Sequence, residues 1–430
     1  MKKVIPGLSF KIVLDILYLL FLPAVLALYI IRGKYHAGWL ERILFGCWRE
    51  IIRDDSDLIW IHAVSLGEAR EAVLLYHKLK EEKPAYRYLL TTVTEVGQRF
   101  LKQHIDSEDY SAYLPLDFSF FMRYLFNSLK IKLVLILETE LWPNFIIGLK
   151  ERGIPVGLIN ARISKKSFPR YRLIKSQIGK ILNQLDFVSS SGSITTSRLE
   201  FLGLKNRDYI YEGNIKFDLK VSSIKRDSRI NDLSHILQDR GHKLFIAGST
   251  HKEESILLSQ CFLKLRDSYP DWKFLIAPRQ LRELENLKEF LRDEGCNWSL
   301  FSSGFQSNFK SDIYIIDEVG YLPALYSLSE AVFVGGSILP YGGHNIIEPA
   351  IFKKPILIGP YYYNFKEIVD EFLKEDAVLV VNENNILSSM SNIFAKQDLR
   401  RLYGQRAFKV LETNRGGVGK IVDFICAQYI

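Results

Sequence analysis

Short apolar runs alternate with amphipathic stretches along most of the chain. Runs such as Leu58–Val64 and Leu133–Leu137 predict buried strands, and the amphipathic stretches between runs predict helices. This rhythm is typical of a doubly wound parallel sheet. It stops at a polar, non-periodic stretch, Asp218–Ser234, and then restarts. The pattern therefore predicts an α/β protein with two such sheets, facing each other across a cleft and joined by a linker.

The pattern also gives approximate bounds for the elements. Strands are predicted at Leu58–Val64, Tyr88–Val93, Leu133–Leu137, Val156–Ile159, Leu244–Ala247, Phe274–Ala277, Ile313–Ile316, Ala331–Val334 and Pro355–Ile358. Helices are predicted at Ala69–Glu82, Val96–His104, Glu253–Tyr269, Arg282–Glu294 and Ile346–Phe352. We expect residues 1–34 to form an N-terminal anchor, residues 35–220 a first domain and residues 221–430 a second domain.

One apolar run, Ile12–Ile31, is much longer than the others. A helix of about 20 residues crosses a hydrocarbon core of about 30 Å, so the run predicts a membrane helix. No small-residue cleavage site closes it, which disfavours a removed signal peptide; a buried helix of the first domain is the alternative. Basic and aromatic residues follow the run and predict an interfacial collar on anionic lipid: Arg32, Lys34, Trp39, Arg42, Phe45, Trp48, Arg49 and Arg53. Their charge favours a cytoplasmic location for the rest of the chain.

Composition narrows the class of protein. The 430 residues include 57 Lys and Arg against 49 Asp and Glu, a formal net charge of +8. This excess suggests a negatively charged partner but does not choose among nucleic acid, a phosphorylated substrate and an anionic membrane. The hydrophobic fraction of 48% excludes a disordered chain. The four cysteines are scattered and form no CxxC pair, which argues against a disulfide framework or a zinc site.

A glycine-rich turn follows the predicted strand Ala331–Val334. Two glycine pairs, Gly335-Gly336 and Gly342-Gly343, stand before a short helical stretch. Such glycines let the backbone approach a ligand closely, and the free N–H groups of the next helix attract phosphate. Asn345 is a candidate N-cap, and Glu348 could complete a capping box or reach a ribose diol. A tight turn before a well-capped helix is the alternative interpretation.

Acidic residues follow two predicted strands of the first half. Glu68 comes just after Leu58–Val64 and therefore lies at the edge of the sheet where open α/β folds bind ligands. Its carboxylate is a candidate general base, and simple capping of the next helix is the alternative. Glu138 and Glu140 follow Leu133–Leu137, two residues apart, so we expect one to face the site and favour Glu140, with Glu138 in solvent. His62 lies within a strand and is interpreted as a core histidine.

Short sequence motifs are spread along nearly the whole chain. They are 62–68, 91–94, 114–117, 138–144, 160–164, 213–218, 248–251, 277–279, 317–320, 335–337 and 342–349. Together they resemble the 3-deoxy-D-manno-octulosonic acid (Kdo) transferases of lipopolysaccharide assembly. The chain departs from the family after Arg279, where Gln280-Leu281-Arg282-Glu283 replaces the usual His-Pro-Glu-Arg, so a histidine contact there is in doubt.

The resemblance implies a GT-B fold, with an acceptor-binding first domain and a nucleotide-sugar-binding second domain. It implies transfer of Kdo from CMP-Kdo to a hydroxyl of the lipid A precursor, lipid IVA, with inversion and without a metal or cofactor. By similarity Glu68 is the base, and Glu140 and Lys216 line the active cleft. The donor contacts would be Ser249, Thr250, Arg279, Gly335, Gly336, Ser337, Gly343, Asn345 and Glu348.

The chemistry of these residues agrees with the implied roles. Arg279 and glycine N–H groups can stabilise the charge that grows on a CMP leaving group. Lys216 could offset the donor carboxylate, or it could be an exposed linker lysine. We therefore expect an enzyme on the cytoplasmic face of the inner membrane, in contact with its anionic surface and not with nucleic acid. The alternatives are a GT-B transferase that uses a UDP-sugar on a lipid acceptor, and a non-catalytic nucleotide-binding membrane module.

Overall fold

The computed structural model describes residues 8–31, 38–43, 46–205, 209–219, 227–304 and 311–430. The chain divides into two compact units, one of Met1–Asp218 with Gly416–Ile430 and one of Leu219–Arg415. Each unit contains a seven-stranded sheet in which the paired strands run parallel. The predicted fold class, two doubly wound α/β sheets, is confirmed.

The sheet of the first unit has the strand order β3-β2-β1-β4-β5-β6-β7. Its strands are β1 (Asp57–His62), β2 (Arg87–Thr92), β3 (Tyr110–Tyr113), β4 (Lys130–Leu137), β5 (Val156–Ala161), β6 (Phe187–Ser190) and β7 (Tyr209–Glu212). The direction of winding reverses between β1 and β4, and His62 pairs with Ile136 there. In open sheets the crevice beside such a reversal, at the carboxyl ends of the strands, is where ligands bind.

Helices cover both faces of this sheet. They are α1 (Leu8–Ile31), α2 (Gly38–Glu41), α3 (Trp48–Arg53), α4 (Leu66–Glu82), α5 (Glu95–His104), α6 (Ser119–Ser128), α7 (Pro143–Lys150), α8 (Phe168–Leu173), α9 (Lys175–Leu182) and α10 (Ser193–Phe201). The helices that follow β1 and β2 begin at side-chain caps, because Ser65 and Thr94 accept hydrogen bonds from backbone N–H groups of the first turn. Both caps lie at the carboxyl edge of the sheet.

The sheet of the second unit has the strand order β10-β11-β9-β8-β12-β13-β14. Its strands are β8 (Lys243–Thr250), β9 (Trp272–Pro278), β10 (Trp298–Leu300), β11 (Ile313–Ile315), β12 (Ala331–Val334), β13 (Ile356–Ile358) and β14 (Leu379–Val380). Its helices are α11 (Ser228–Arg240), α12 (Lys252–Leu265), α13 (Leu284–Asp293), α14 (Leu322–Leu328), α15 (Ile347–Ile351), α16 (Lys366–Lys374), α17 (Ile386–Ala395) and α18 (Gln397–Asn414). The reversal lies between β8 and β12.

The predicted linker Asp218–Ser234 is wrong over its second half. Helix α11 begins at Ser228, and the carboxylate of Asp227 accepts a hydrogen bond of 3.3 Å from the backbone N–H of Ile230. Only three apolar residues of this helix are buried, so the hydrophobic periodicity of this segment is too weak to predict a helix from the sequence. Residues 220–226 of the predicted linker lie outside the described part of the chain.

The C-terminal helix, α19 (Gly417–Gln428), belongs to the first unit and not to the second, where residues 221–430 were expected. The carboxylate of Asp218 accepts the backbone N–H groups of Gly416 at 2.5 Å and Val418 at 2.6 Å. The buried face of the helix, which includes Ile421 and Ile425, joins the apolar core beside α4. This helix therefore completes one side of the first sheet.

The N-terminal helix agrees with the predicted membrane segment, but the collar does not. The stretch Phe10–Leu28 of α1 has a mean hydropathy of 2.2, and α1 alone among the described helices is long and apolar enough to cross a membrane. Trp39 and Trp48 are buried in the first unit, and Arg42 donates to the carbonyl of Leu114 at 3.0 Å. These three residues therefore pack inside the protein, while Arg49 and Arg53 are exposed. The remaining collar residues, Arg32, Lys34 and Phe45, lie outside the described residues.

Packing of α19 generates a prediction about stability. Ile421→Ala should lower the free energy of unfolding by about 2–5 kcal/mol, because it leaves a cavity in the core of the first unit. The measurement is the denaturant midpoint of the full chain in detergent. The matched control is Gln428→Ala on the exposed end of the same helix, which should leave the midpoint unchanged. Equal midpoints for the two variants would contradict the placement of α19.

Candidate active site

Backbone strain marks the carboxyl edges of both sheets. Glu138, Asn160 and Ser249 are non-glycine residues with φ of 53°, 53° and 58°. Each stands at or just after the carboxyl end of a central strand, β4, β5 or β8. A left-handed backbone at such residues costs about 1–3 kcal/mol and is concentrated at functional sites. The strained positions therefore point to the same edges as the sequence motifs.

Glu68 lies in the first turn of α4, at the carboxyl edge of the first sheet. Its carboxylate accepts the backbone N–H of Val64 at 2.7 Å and the hydroxyl of Ser65 at 2.8 Å. A capping box is also present, because Ser65 Oγ accepts the backbone N–H of Glu68 at 3.4 Å and the Glu68 carboxylate accepts the backbone N–H of Ser65 at 3.3 Å. The capping role considered from the sequence is therefore confirmed. Burial, followed by the nearby charge of Glu138, raises the pKa of Glu68 to about 8. A carboxylate oxygen accepts more than one hydrogen bond, so capping leaves Glu68 able to accept a proton.

A buried lysine connects two further carboxylates at this edge. Lys216 Nζ lies 3.0 Å from Glu71 Oε1 and 3.0 Å from Glu138 Oε1. The other oxygen of Glu71 accepts a hydrogen bond of 2.7 Å from Asn160 Nδ2. Lys216 is thus not an exposed linker lysine, and its expected role of offsetting the donor carboxylate stays a prediction. We call Glu71, Lys216 and Glu138 the Lys216 cluster.

The cluster corrects the interpretation of the paired glutamates. Glu138, expected in solvent, is paired with Lys216. Glu71 was missed, although it stands three residues after Glu68 and so shares its face of α4. Sequence spacing could have suggested Glu71, but its partner Lys216 is remote in the chain.

The cluster sets the charge state of the site. Although burial acts in the opposite direction, Lys216 and Arg162 hold the pKa of Glu138 below its ordinary value. Burial and the charge of Glu138 raise the pKa of Glu140 to about 7. Among the described residues the Glu140 carboxylate has no hydrogen-bond partner. The site therefore places two carboxyl groups that titrate near neutrality, Glu68 and Glu140, beside one that stays ionised.

In the second unit a buried glutamate occupies the glycine turn. The carboxylate of Glu254 accepts backbone N–H groups from Gly336 at 2.7 Å, Ser337 at 2.8 Å and Ile338 at 2.8 Å. Gly335 N–H donates to the carbonyl of Gly248 at 2.9 Å. These N–H groups are therefore not free for a phosphate, contrary to the role expected for Gly335, Gly336 and Ser337. Glu254 supplies the negative charge that a phosphate would bring to such a loop.

The structure explains why this turn needs glycine. A Cβ on Gly335 would lie 2.5 Å from the carbonyl oxygen of Ser249, and Gly336 has a φ of +68°. The hydroxyl of the buried Ser337 donates to the carbonyl of Val334 at 2.6 Å and accepts from Gly359 N–H at 2.8 Å. The turn therefore packs closely against the backbone that ends the neighbouring strands β8 and β13.

The other expected donor residues have different environments. Arg279 is exposed just beyond β9, and Ser249 is half-buried. Thr250 is fully buried, and its hydroxyl is 2.8 Å from that of Ser255, so it supports the fold. Asn345 Oδ1 accepts the backbone N–H of Ile347 at 3.1 Å. The residue that caps α15 is nevertheless Ile346, which has no capping side chain, so the predicted N-cap role of Asn345 is wrong. The backbone N–H of Gly343 donates to the carbonyl of Gly336, and Glu348 is half-buried.

Two histidines beside Arg279 were not expected from the sequence as site residues. The ring of His251 stacks on that of Tyr341 at 3.8 Å between centroids, and the ring of His344 lies 6.1 Å from that of His251. Burial, together with the charges of Arg279 and His251, lowers the pKa of His344 to about 4. Both histidines lie in the motifs named above, in 248–251 and 342–349, so the sequence could have marked them as candidates. It could not predict that their rings lie close together.

An apolar cavity of about 270 Å³ lies in the first unit. It is lined by Tyr18, Phe21, Leu22, Trp39, Arg42, Val93, Leu116, Asp117, Phe118 and Trp142. Val93 follows β2, and Trp142 comes two residues after Glu140. The cavity therefore begins beside the edge that carries the carboxylates and extends to α1.

Comparisons with known proteins support the fold. The UDP-GlcNAc 2-epimerase of Neisseria meningitidis, solved with UDP-GlcNAc, superimposes with a TM-score of 0.59 at 16% identity, covering 86% of this chain and 98% of that one. A glycosyltransferase of Rickettsia africae superimposes with a TM-score of 0.57 at 11% identity, covering 87% and 98%. These likenesses show that the chain has a GT-B-like fold of two Rossmann-like units.

Sequence relatives define the family. The model of the 3-deoxy-D-manno-octulosonic-acid transferases (kdotransferase) matches residues 37–219. A 3-deoxy-D-manno-octulosonic acid transferase of Haemophilus influenzae is 30% identical over 369 residues, covering 85% of this chain and 86% of the relative. One of Chlamydia trachomatis serovar A is 26% identical over 402 residues, covering 92% and 91%. The chain therefore belongs to the Kdo transferase family of glycosyltransferases, which acts in lipopolysaccharide biosynthesis.

The position of Glu254 generates a prediction. Glu254→Gln should lower the free energy of unfolding by about 2 kcal/mol, because the amide replaces one acceptor oxygen with a donor that faces backbone N–H groups. The control is Glu253→Gln, one residue earlier and exposed, which should have little effect. Thermal unfolding of both variants, with CMP titrated into each, is the measurement. A Glu254→Gln variant as stable as Glu253→Gln would show that the turn does not depend on this carboxylate.

Proposed function

We propose that this chain transfers Kdo from CMP-Kdo to a hydroxyl of the lipid A precursor, lipid IVA, with inversion and with Glu68 as general base. Family membership supports the Kdo transfer itself. The observation that carries the mechanism is Glu68: a buried carboxyl group at the carboxyl edge of the first sheet, with its pKa raised to about 8. A base of this kind is strong once ionised and works near neutral pH.

The proposed reaction is a single displacement. The acceptor hydroxyl attacks the anomeric carbon of Kdo, and Glu68 takes its proton. The bond from that carbon to the CMP phosphate oxygen breaks, and its electron pair leaves with CMP. One displacement inverts the configuration. The contacts of Glu68 with Val64 and Ser65 would hold the carboxylate in one orientation while it accepts the proton.

The Lys216 cluster would tune this base. An ionised Glu138 disfavours a second negative charge nearby and so raises the basicity of Glu68 and Glu140. Lys216 would thus act on the reaction by keeping Glu138 ionised. We propose Glu140 as a further group lining the acceptor side, since its carboxylate has no partner among the described residues.

We propose that the second unit binds CMP-Kdo. The exposed Arg279, with the half-buried Ser249, Asn345 and Glu348, stands at the carboxyl edge of its sheet. The guanidinium would stabilise charge on the departing phosphate, a role that needs no metal ion. Because Glu254 occupies N–H groups of the glycine turn, Arg279 carries more of this role than the sequence suggested.

We propose that the apolar cavity of the first unit receives part of the lipid acceptor. Its walls are largely aromatic and aliphatic, and Trp142 and Val93 connect it to the edge with Glu68 and Glu140. A lipid bound there would leave its sugar hydroxyls near the base. Enzyme and acceptor would then meet at the anionic cytoplasmic surface of the inner membrane, where α1 holds the chain.

The role of Glu68 is tested by Glu68→Gln. The amide keeps the size of the side chain but cannot accept the proton, so transfer should fall by at least 10²-fold, the scale of general-base catalysis. CMP binding should persist, because the donor residues lie in the other unit. Mass spectrometry of the lipid product and calorimetry with CMP are the two measurements. Glu81→Gln, an exposed change of the same kind on the same helix, is the control and should retain full activity.

The pH dependence of transfer gives a second test. If an ionised Glu68 is the base, the rate should rise with pH through a midpoint near 8, the pKa of this group. Glu140→Gln removes a negative charge that raises this pKa, so the midpoint should move to lower pH whatever the maximal rate. Glu81→Gln, an exposed change on α4, should leave the midpoint in place. A midpoint that does not move in Glu140→Gln would contradict the electrostatic account.

A further inference from the structure

One side of the N-terminal helix α1 is fixed to the first unit by polar side chains. Lys11 forms an ion pair with Glu151, at the end of α7. The carboxylate of Asp15 accepts the backbone N–H of Ser119 at 2.9 Å and the side-chain amide of Asn144 at 3.0 Å. Ser119 and Asn144 lie in the first turns of α6 and α7, where helices favour a negative charge. Asp15 is therefore held by protein and not by a lipid headgroup.

The next turns of α1 continue this contact. The hydroxyl of Tyr18 donates to Asp117 at 3.2 Å, and its ring packs edge-on against Phe118. Asp117 is itself fixed, because it also accepts the backbone N–H groups of Asn144 and Phe145. Lys11, Asp15 and Tyr18 recur at helical spacing and form one stripe. We call it the docking stripe of α1.

The remaining surface of α1 is apolar and exposed. Its exposed side chains range from 41% for Leu17 to 79% for Ile31, and they are Ile12, Val13, Ile16, Leu17, Leu19, Leu20, Phe21, Leu28, Ile30 and Ile31. On α6, Phe120 and Tyr124 are also exposed, at 55% and 53%. An apolar surface of this extent marks contact with another apolar phase. We call these residues the outer surface.

The chain returns to the first unit soon after α1 ends. Gly38 lies so close to the ring of Tyr113 that a Cβ there would be 2.2 Å from it. Arg42 then donates to Leu114. The seven steps of chain from Ile31 to Gly38 reach about 25 Å at full extension. A hydrocarbon core is about 30 Å thick.

These two attachments are incompatible with a helix that crosses the bilayer. Lys11, near the start of α1, and Gly38, just after its end, both contact the first unit. A crossing helix would carry Ile31 to the far side, and the chain from there is too short to return through the core. Crossing in the other direction would draw the docking stripe and Glu151 into hydrocarbon, where charged groups are costly.

We propose that α1 enters only one leaflet, with both of its ends on the side of the membrane that carries the first unit. The outer surface is then the part of the protein that lies among the acyl chains of that leaflet. The docking stripe explains why α1 resembles a spanning helix in sequence: its polar face is covered by the protein, so the rest is almost wholly apolar. This inference concerns membrane topology and does not depend on which sugar is transferred.

The test locates the two ends of the full-length chain. Cleavable tags are placed before Met1 and after Ile430, and protease is added to sealed inverted vesicles and to right-side-out vesicles of the expressing bacterium. Both tags should be cleaved in the same vesicle type and protected in the other. An N-terminal tag that is cleaved only where the C-terminal tag is protected would overturn the proposal. Recovery of the chain in the soluble fraction would overturn it too.

The control is a chain in which α1 is replaced by an uninterrupted leucine-rich spanning helix with a long polar linker after it. Its two tags should respond in opposite vesicle types, which shows that the assay detects a crossing. Detergent should expose both tags of both chains. The sidedness of the tags requires no transferase activity, so a failure of this proposal is distinct from a failure of the proposed reaction.

Discussion

The placement of Lys216 between Glu71 and Glu138 is the interaction on which the rest of the site depends. Each carboxylate oxygen lies 3.0 Å from the ammonium nitrogen. Burying two carboxylates without a cation is strongly unfavourable, so the lysine is what allows Glu71 and Glu138 to lie together at this edge of the sheet. The ionised Glu138 in turn acts on the neighbouring carboxyl groups. Together with burial, its charge raises the pKa values of Glu68 and Glu140. The same charge moves the titration of both groups toward neutral pH, which is the property that the proposed base Glu68 requires.

The second unit uses a buried carboxylate for the opposite purpose. The carboxylate of Glu254, in α12, accepts hydrogen bonds from three backbone N–H groups of the glycine turn after β12. It thereby connects α12 to this turn. These hydrogen bonds fix the turn that precedes Asn345 and α15. In the first unit the surroundings raise the pKa of Glu68, whereas in the second unit the carboxylate of Glu254 is bonded to the backbone.

The sequence predicted the regular part of the molecule well, because hydrophobic periodicity is a local signal. The nine predicted strands overlap observed ones, and short or polar strands such as β10 and β14 were missed. Contacts between distant residues could not be predicted. The pairing of Lys216 with Glu71 and the use of Gly336 N–H by Glu254 join residues far apart in the chain. The first contact shows that Lys216 is not an exposed linker lysine, and the second shows that the Gly336 N–H is already bonded within the protein. Asp15 and Asn144 are also far apart in the chain, and their contact makes the apolar helix α1 part of the first unit and not an isolated segment.

The central proposal is that the acidic edge of the first unit and the Arg279 edge of the second serve Kdo transfer to a lipid. The most direct measurement is mass spectrometry of the lipid after incubation of purified full-length chain with CMP-Kdo and lipid IVA. We expect a lipid heavier by one or more Kdo units, together with one released CMP for each unit added. An unchanged lipid with CMP-Kdo, or a product that forms only when a UDP-sugar is supplied, would contradict it.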